Sequence, residues 1–164
     1  MEDSAAFAVL VPLIAHAGES CVLLTKRPDT MSRYAGQVAF PGGAREPQDA
    51  DLLQTALRET EEEVGIPPEA IEIVRELDCQ QTTLGHRIKP FVGRVKTVVR
   101  LRLDPHEVER TLFLPLRQIT PDLFRVRSHV RLPDGVQVTV YTFDFDGCEV
   151  WGLTARILRS AFIE

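Results

Sequence analysis

Residues 58–65 read RETEEEVG, and four of these eight residues are glutamates. Such crowding raises a chemical question, because like charges three or four residues apart on a helix repel. A helix advances about 100° per residue. Taking Glu59 as the reference, Glu62 and Glu63 fall within about 60° to either side of it. These three carboxylates share one patch, whereas Glu61 points away to solvent. Leu53, Ala56, Leu57, Thr60 and Val64 gather on an adjacent face and read as the core stripe. Three arrangements relieve the repulsion: hydration of an exposed face, pairing with Arg58, or a hard divalent cation held by carboxylate oxygens.

The flanking sequence supplies a setting for that patch. Phe40-Pro41-Gly42-Gly43 lies upstream, and paired glycines after a strand allow a tight bend and close approach of the backbone to a ligand. The helical pattern runs from about Asp49 to Val64. Gly65 is placed to end it, with Pro67 and Pro68 beyond. A strand, a glycine loop and an acidic helix therefore follow one another directly.

This succession resembles the signature of the Nudix hydrolase family, GX5EX7REUXEEXGU with U aliphatic. Arg58-Glu59-Thr60-Glu61-Glu62-Glu63-Val64-Gly65-Ile66 matches its second half, with Thr60 at the first aliphatic position. Gly43 corresponds to the opening glycine. Asp49 falls in the slot of the first glutamate, with one extra residue before Arg58. That longer spacing, with Pro47-Gln48-Asp49-Ala50-Asp51 and Thr55-Ala56-Leu57-Arg58-Glu59, is similar to the coenzyme A diphosphatase branch. The branch also carries an upstream motif like LLTxRSx3Rx3Gx3FPGG. Here Leu23-Leu24-Thr25-Lys26-Arg27, Gly36, Gln37 and Phe40-Pro41-Gly42-Gly43 match it. Pro28 replaces its serine, and Ser32 occupies the second arginine position with Arg33 one residue later. The stretch WGLTARIL (151–158) also looks like that branch.

The resemblance implies an α/β/α sandwich with a mixed sheet and hydrolysis of a nucleoside diphosphate linked to another group. For this branch the substrate is coenzyme A, cut to 4′-phosphopantetheine and adenosine 3′,5′-bisphosphate. It implies Mg²⁺ or Mn²⁺ bound by Glu59 and Glu63, with Glu62 a third ligand or catalytic carboxylate, and Arg58 orienting one of them. Gly42 and Gly43 would let the backbone approach metal or phosphate. The general base comes either from the same patch or from a later loop, where Glu107 in DPHEVER (104–110) is the candidate. Arg27 and Arg33 are candidates for the substrate phosphates, since a guanidinium fork suits them. His86, Arg87 and Lys89, and Trp151 as a stacking partner for adenine, are weaker candidates. Competing activities are hydrolysis of ADP-ribose, a dinucleoside polyphosphate or a noncanonical nucleoside triphosphate, or nucleotide sensing without catalysis.

The rest of the chain frames this site. AFAVLVPLIA (6–15), SCVLLTKR (20–27), QVAF (37–40), IEIVRELD (71–78) and IKPFVGRV (88–95) read as strands. VRLP (130–133) and QVTVYTFDF (137–145) join them as a hairpin around Asp134-Gly135. LTARILRSAFIE (153–164) reads as a terminal helix. The expected fold is α/β or α+β, a mixed sheet between helices, in one domain spanning 1–164. At 164 residues, 44% hydrophobic and 26% charged, the chain suits that size. Net charge is −5, from 19 basic and 24 acidic residues, which argues against a general nucleic-acid binder. No apolar run is long enough to span a bilayer. Glu2 and Asp3 stand where a signal peptide carries positive charge, and Cys21, Cys79 and Cys148 form no CxxC, so the expected compartment is the cytoplasm.

Overall fold

The computed structural model describes residues 5–32 and 34–164. In chain order its elements are β1 (Phe7–His16), β2 (Glu19–Lys26), β3 (Val38–Ala39), β4 (Gly42–Ala44), α1 (Leu52–Val64), β5 (Ile71–Glu76) and β6 (Gln80–Gln81). There follow β7 (Arg87–Val95), β8 (Arg110–Pro115), β9 (Arg125–Arg131), β10 (Gln137–Phe145), β11 (Cys148–Trp151) and α2 (Leu153–Phe162).

Period-2 burial organises the larger sheet. Ala8 and Leu10 of β1, Leu23 of β2 and Phe91 of β7 face α1, where they meet Leu52, Ala56 and Val64. Val11, Val22, Leu24 and Val92 face the opposite way, onto Phe143, Val150, Ala155, Ile157 and Leu158. Both faces of these central strands are covered, so their sequences read as nearly continuous apolar runs. The strands lie in the order β3-β2-β1-β7-β5, with β4 on β1, β6 on β7 and β8 on β2. β1 and β7 are parallel and the other pairings are antiparallel. A separate three-stranded sheet, β11-β10-β9, shares the second core with α2. The mixed sheet between two helices is the α/β/α sandwich expected from the sequence.

Several boundaries moved for physical reasons. α1 starts at Leu52 rather than Asp49, because Asp51 caps it by accepting the Gln54 N–H at 2.8 Å. Asp49 is thereby left outside the helix. Gly65, at φ 79°, ends α1 and donates its N–H to the Glu61 carbonyl. The acidic stripe is not separate from the core stripe, since Glu63 is buried at 5% exposure. The glycine turn is itself a strand: Gly42 pairs with Val9 and Gly43 with Ala8. β9 begins at Arg125, well before the expected start, because β10 is long enough to pair with it from Arg125 to Arg131.

Candidate active site

α1 packs on β1 and β4, and this contact sets the acidic end of the site. A Cβ on Gly42 would stand 2.4 Å from the Ala8 carbonyl oxygen. One on Gly43 would stand 2.7 Å from the Glu59 carboxylate carbon. Only glycine lets the strand lie this close to both β1 and the helix. The Gly42 N–H then donates to Glu63 Oε2 at 2.8 Å.

A third carboxylate arrives from a loop. The Arg102 N–H donates to the Val64 carbonyl and the Asp104 N–H to the Glu63 carbonyl, tying the loop to the end of α1. Its far side is tied to β2, where the Glu109 N–H donates to the Lys26 carbonyl and the two side chains form an ion pair. Buried Val108 anchors the segment between these ties. Glu107 is thus delivered to the helix, and carboxylate oxygens of Glu59, Glu63 and Glu107 lie within 4.8 Å of one another.

Arg58 holds the surrounding charges in place. Its Nε and Nη2 donate to the two Asp49 carboxylate oxygens, both at 2.9 Å. Nη1 donates to Glu59 Oε1 at 3.0 Å and lies 3.3 Å from Glu62 Oε2. Nη2 also reaches the Ala44 carbonyl at 3.2 Å, linking α1 to β4. Asp49 is buried and accepts further bonds from the Thr55 hydroxyl and the Glu46 N–H, each at 2.9 Å. The Arg58 fork is the largest influence holding the Asp49 carboxyl well below the usual carboxylate range.

The trio is electrostatically loaded in the opposite sense. Burial, reinforced by Glu62 and Glu107 and opposed by Arg58, pushes the Glu59 carboxyl up to about 7. Burial pushes Glu63 up to about 9, with Glu107 and Glu59 adding to the rise and the Gly42 N–H opposing it. Burial so disfavours the charged form of these carboxyls, and a cation among them would offset that. An all-oxygen donor set of this kind fits a hard divalent cation.

The cleft that opens onto Glu63 has a volume of about 430 Å³. Thr25, Arg27, Gln37, Phe40, Gly42 and Gly43 line it beside Glu63. Arg27 therefore lines this cleft, while Arg33 lies outside the described residues. Glu62 is exposed and stands with Arg58, not in the trio. His86 lines the cleft edge-on to Phe7, with ring centroids 5.1 Å apart. Arg87 is exposed, and the Lys89 ammonium lies 6.0 Å from the ring of Phe91, a residue of the α1-side core. Trp151 is on the cleft rather than in the core, with the Arg127 guanidinium 4.3 Å from its ring centroid. Arg156 of α2 also lines the cleft, and the sequence reading passed over it. Its signal lay within WGLTARIL, the stretch that looks like the coenzyme A diphosphatase branch and opens the expected terminal helix.

Residues 5–132 match the family model described as the NUDIX domain. The chain belongs to the Nudix family. It is a Nudix hydrolase similar to an uncharacterized Nudix hydrolase, NudL, of Yersinia enterocolitica, at 37% identity over 155 residues, covering 93% of this chain and 77% of the relative. The Yersinia pestis NudL is 38% identical over 152 residues, covering 93% and 75%. Among solved structures, a binary complex of a C. elegans Ap4A hydrolase matches with a TM-score of 0.58 at 24% identity, covering 68% of this chain and 80% of that one. The NUDIX domain of Shewanella oneidensis NrtR complexed with ADP ribose matches with a TM-score of 0.53 at 20% identity, covering 73% and 77%. These structural likenesses show the Nudix fold. Nudix hydrolases generally use divalent metal cations, in keeping with the donor set found here. Among the described residues no helix is long and apolar enough to cross a membrane.

Proposed function

We propose that this Nudix hydrolase cleaves the pyrophosphate of coenzyme A or its derivatives with Mg²⁺ or Mn²⁺, releasing 4′-phosphopantetheine and adenosine 3′,5′-bisphosphate. One observation carries the reading. The residues that resemble the coenzyme A motif, Thr25, Arg27, Gln37 and Phe40, line the same cleft as Glu63 and the two glycines. The motif and the acidic patch, well separated in sequence, thus serve one ligand space.

In this reading Glu59, Glu63 and Glu107 would hold the cation, which supplies charge neutralisation and Lewis acidity toward the pyrophosphate. Arg58 orients Glu59, while Asp49 orients Arg58. The Gly42 N–H orients Glu63, and Gly43 leaves room for Glu59. Arg27, which also lines the cleft, meets the phosphates, with Arg33 assigned beside it on sequence alone. Glu62 adds negative charge beside Glu59 and keeps Arg58 paired. Glu107, on its own loop, would also accept the proton of an attacking water. The whole chain acts as one catalytic domain on a small nucleotide, with neither nucleic acid nor membrane as partner, in the cytoplasm.

The test is a panel of coenzyme A, ADP-ribose, diadenosine tetraphosphate and dGTP with Mg²⁺ and with Mn²⁺, with products identified by mass. The expected kcat/KM for coenzyme A exceeds the others by at least about tenfold, roughly the worth of one well-made polar contact. Comparable or faster hydrolysis of any other member overturns the assignment.

A further inference from the structure

The far end of the cleft holds a cation that the catalytic groups do not use. Arg156 is half-buried on α2. Its Nε donates to Gln80 Oε1 at 2.6 Å, and an Nη group donates to the Gln81 carbonyl. Both acceptors are neutral. Among the described residues no carboxylate comes within ion-pair distance, 4.0 Å, of this guanidinium. Its removal from water lowers its pKa, and Asp134 is the one charged group acting against that. Arginine nonetheless keeps its charge in any protein setting, so the cleft end is positive and undercompensated.

Strand register places this cation far from the carboxylates. Gln80 pairs with Ile88, Ile88 with Phe7, and Phe7 with Ala44. β6 and β4 are thus three strand spacings apart, about 14 Å at about 4.8 Å each. Arg156 is bonded to β6, and Glu63 is bonded to Gly42 of β4. The two phosphorus atoms of a pyrophosphate share one bridging oxygen, so a pyrophosphate at the carboxylates cannot also reach Arg156.

We propose that Arg156 receives a second anionic group of the substrate, a phosphate monoester carried on the nucleotide sugar away from the hydrolysed linkage. The proposal rests on the coenzyme A reading, in which that group is the 3′-phosphate of the ribose. The two neutral carbonyls hold the guanidinium fork in place without neutralising it, leaving its charge for the ligand. Arg156 then sets specificity and takes no part in bond cleavage.

The test compares coenzyme A with dephospho-coenzyme A, which lacks only that phosphate. Wild type is expected to favour coenzyme A by about 10–100-fold in kcat/KM, expressed in KM, the range for a hydrogen bond to a charged group. Arg156→Gln should raise KM for coenzyme A alone and abolish the preference, and Arg156→Lys should restore part of it. Equal kcat/KM values in wild type, or an equal loss on both substrates in Arg156→Gln, overturn the proposal. A purely structural strap between α2 and β6 would give that equal loss. If Arg156→Gln does not fold, the wild-type ratio decides alone. If neither compound is hydrolysed, the coenzyme A reading fails by itself. Calorimetry with adenosine 3′,5′-bisphosphate and with AMP then decides on Arg156: tighter binding of the bisphosphate supports it, and equal binding overturns it.

Discussion

Glu63 is the residue at which burial and charge are most opposed. Its carboxyl is pushed from an ordinary 4.5 up to about 9, so between those values the folded chain binds more protons than the unfolded one. Stability of the cation-free chain therefore falls as pH rises through that window. Glu63→Gln keeps an acceptor for the Gly42 N–H and removes the ionisation. In chelator at pH 8 it should melt several degrees higher than wild type, at about 2–4 °C per kcal/mol for a chain of this size. At pH 4 the difference should vanish, and its persistence there would count against a charge-based cause. The same variant should lose about 10²–10³-fold in cation-dependent turnover, as when a group that stabilises transition-state charge is removed. Asp49 has the opposite sign. Its carboxyl is held below an ordinary 3.8, so its stabilising pairing with Arg58 is fully present above that value and is lost as pH falls below it. Asp49→Asn should cost about 3 kcal/mol at pH 7 by denaturant unfolding, the low end for breaking a buried pair. The gap should narrow below about pH 3.8, the ordinary aspartate value. At this scale RETEEEVG disclosed the acidic patch and Arg58 as its orienter. It could not disclose that Glu62 stands apart or that Asp49 is the fork's main partner. The first depends on the loop that brings Glu107 to α1, the second on the loop before α1 folding back onto Arg58.

Between elements, β4 acts through two glycines with different obligations. At Gly42 the obstacle to a side chain is the backbone of β1, which cannot yield. At Gly43 the obstacle is the end of the Glu59 side chain, which can. Gly42→Ala should therefore destabilise the fold by about 1–3 kcal/mol, as overpacking does. Gly43→Ala should leave the melting temperature nearly unchanged while weakening Mn²⁺ binding by about tenfold, as for groups that orient metal ligands. Melting curves paired with Mn²⁺ titrations separate the two, and a matched loss of stability in both variants would contradict the assignment. β1, β2 and β7 were legible as apolar runs, β10 by its alternation and α2 by its helical periodicity. β4 was read as a turn because glycines carry no periodic signal. β8 passed unassigned although Leu112 and Leu114 are fully buried, because its partner β2 lies far away in the chain.

At the scale of the whole molecule, the site exists because three layers meet. The large sheet supplies the glycine strand and the cleft floor, α1 supplies two carboxylates, and the loop tied to β2 supplies the third. The smaller sheet and α2 close the far wall and bring Arg156 to it. Family membership was legible in one contiguous signature, whereas the convergence of Glu107 on Glu59 and Glu63 needed the long-range ties through Lys26 and Val64. Direct Mn²⁺ titration of the wild type and of Glu62→Gln, Glu63→Gln and Glu107→Gln, followed by electron paramagnetic resonance, bears on that convergence most closely. Losses of at least about tenfold are expected for Glu63→Gln and Glu107→Gln, the lower bound for disturbing a metal site, and a clearly smaller loss for Glu62→Gln. An unaltered affinity in Glu107→Gln together with a large loss in Glu62→Gln would contradict that convergence.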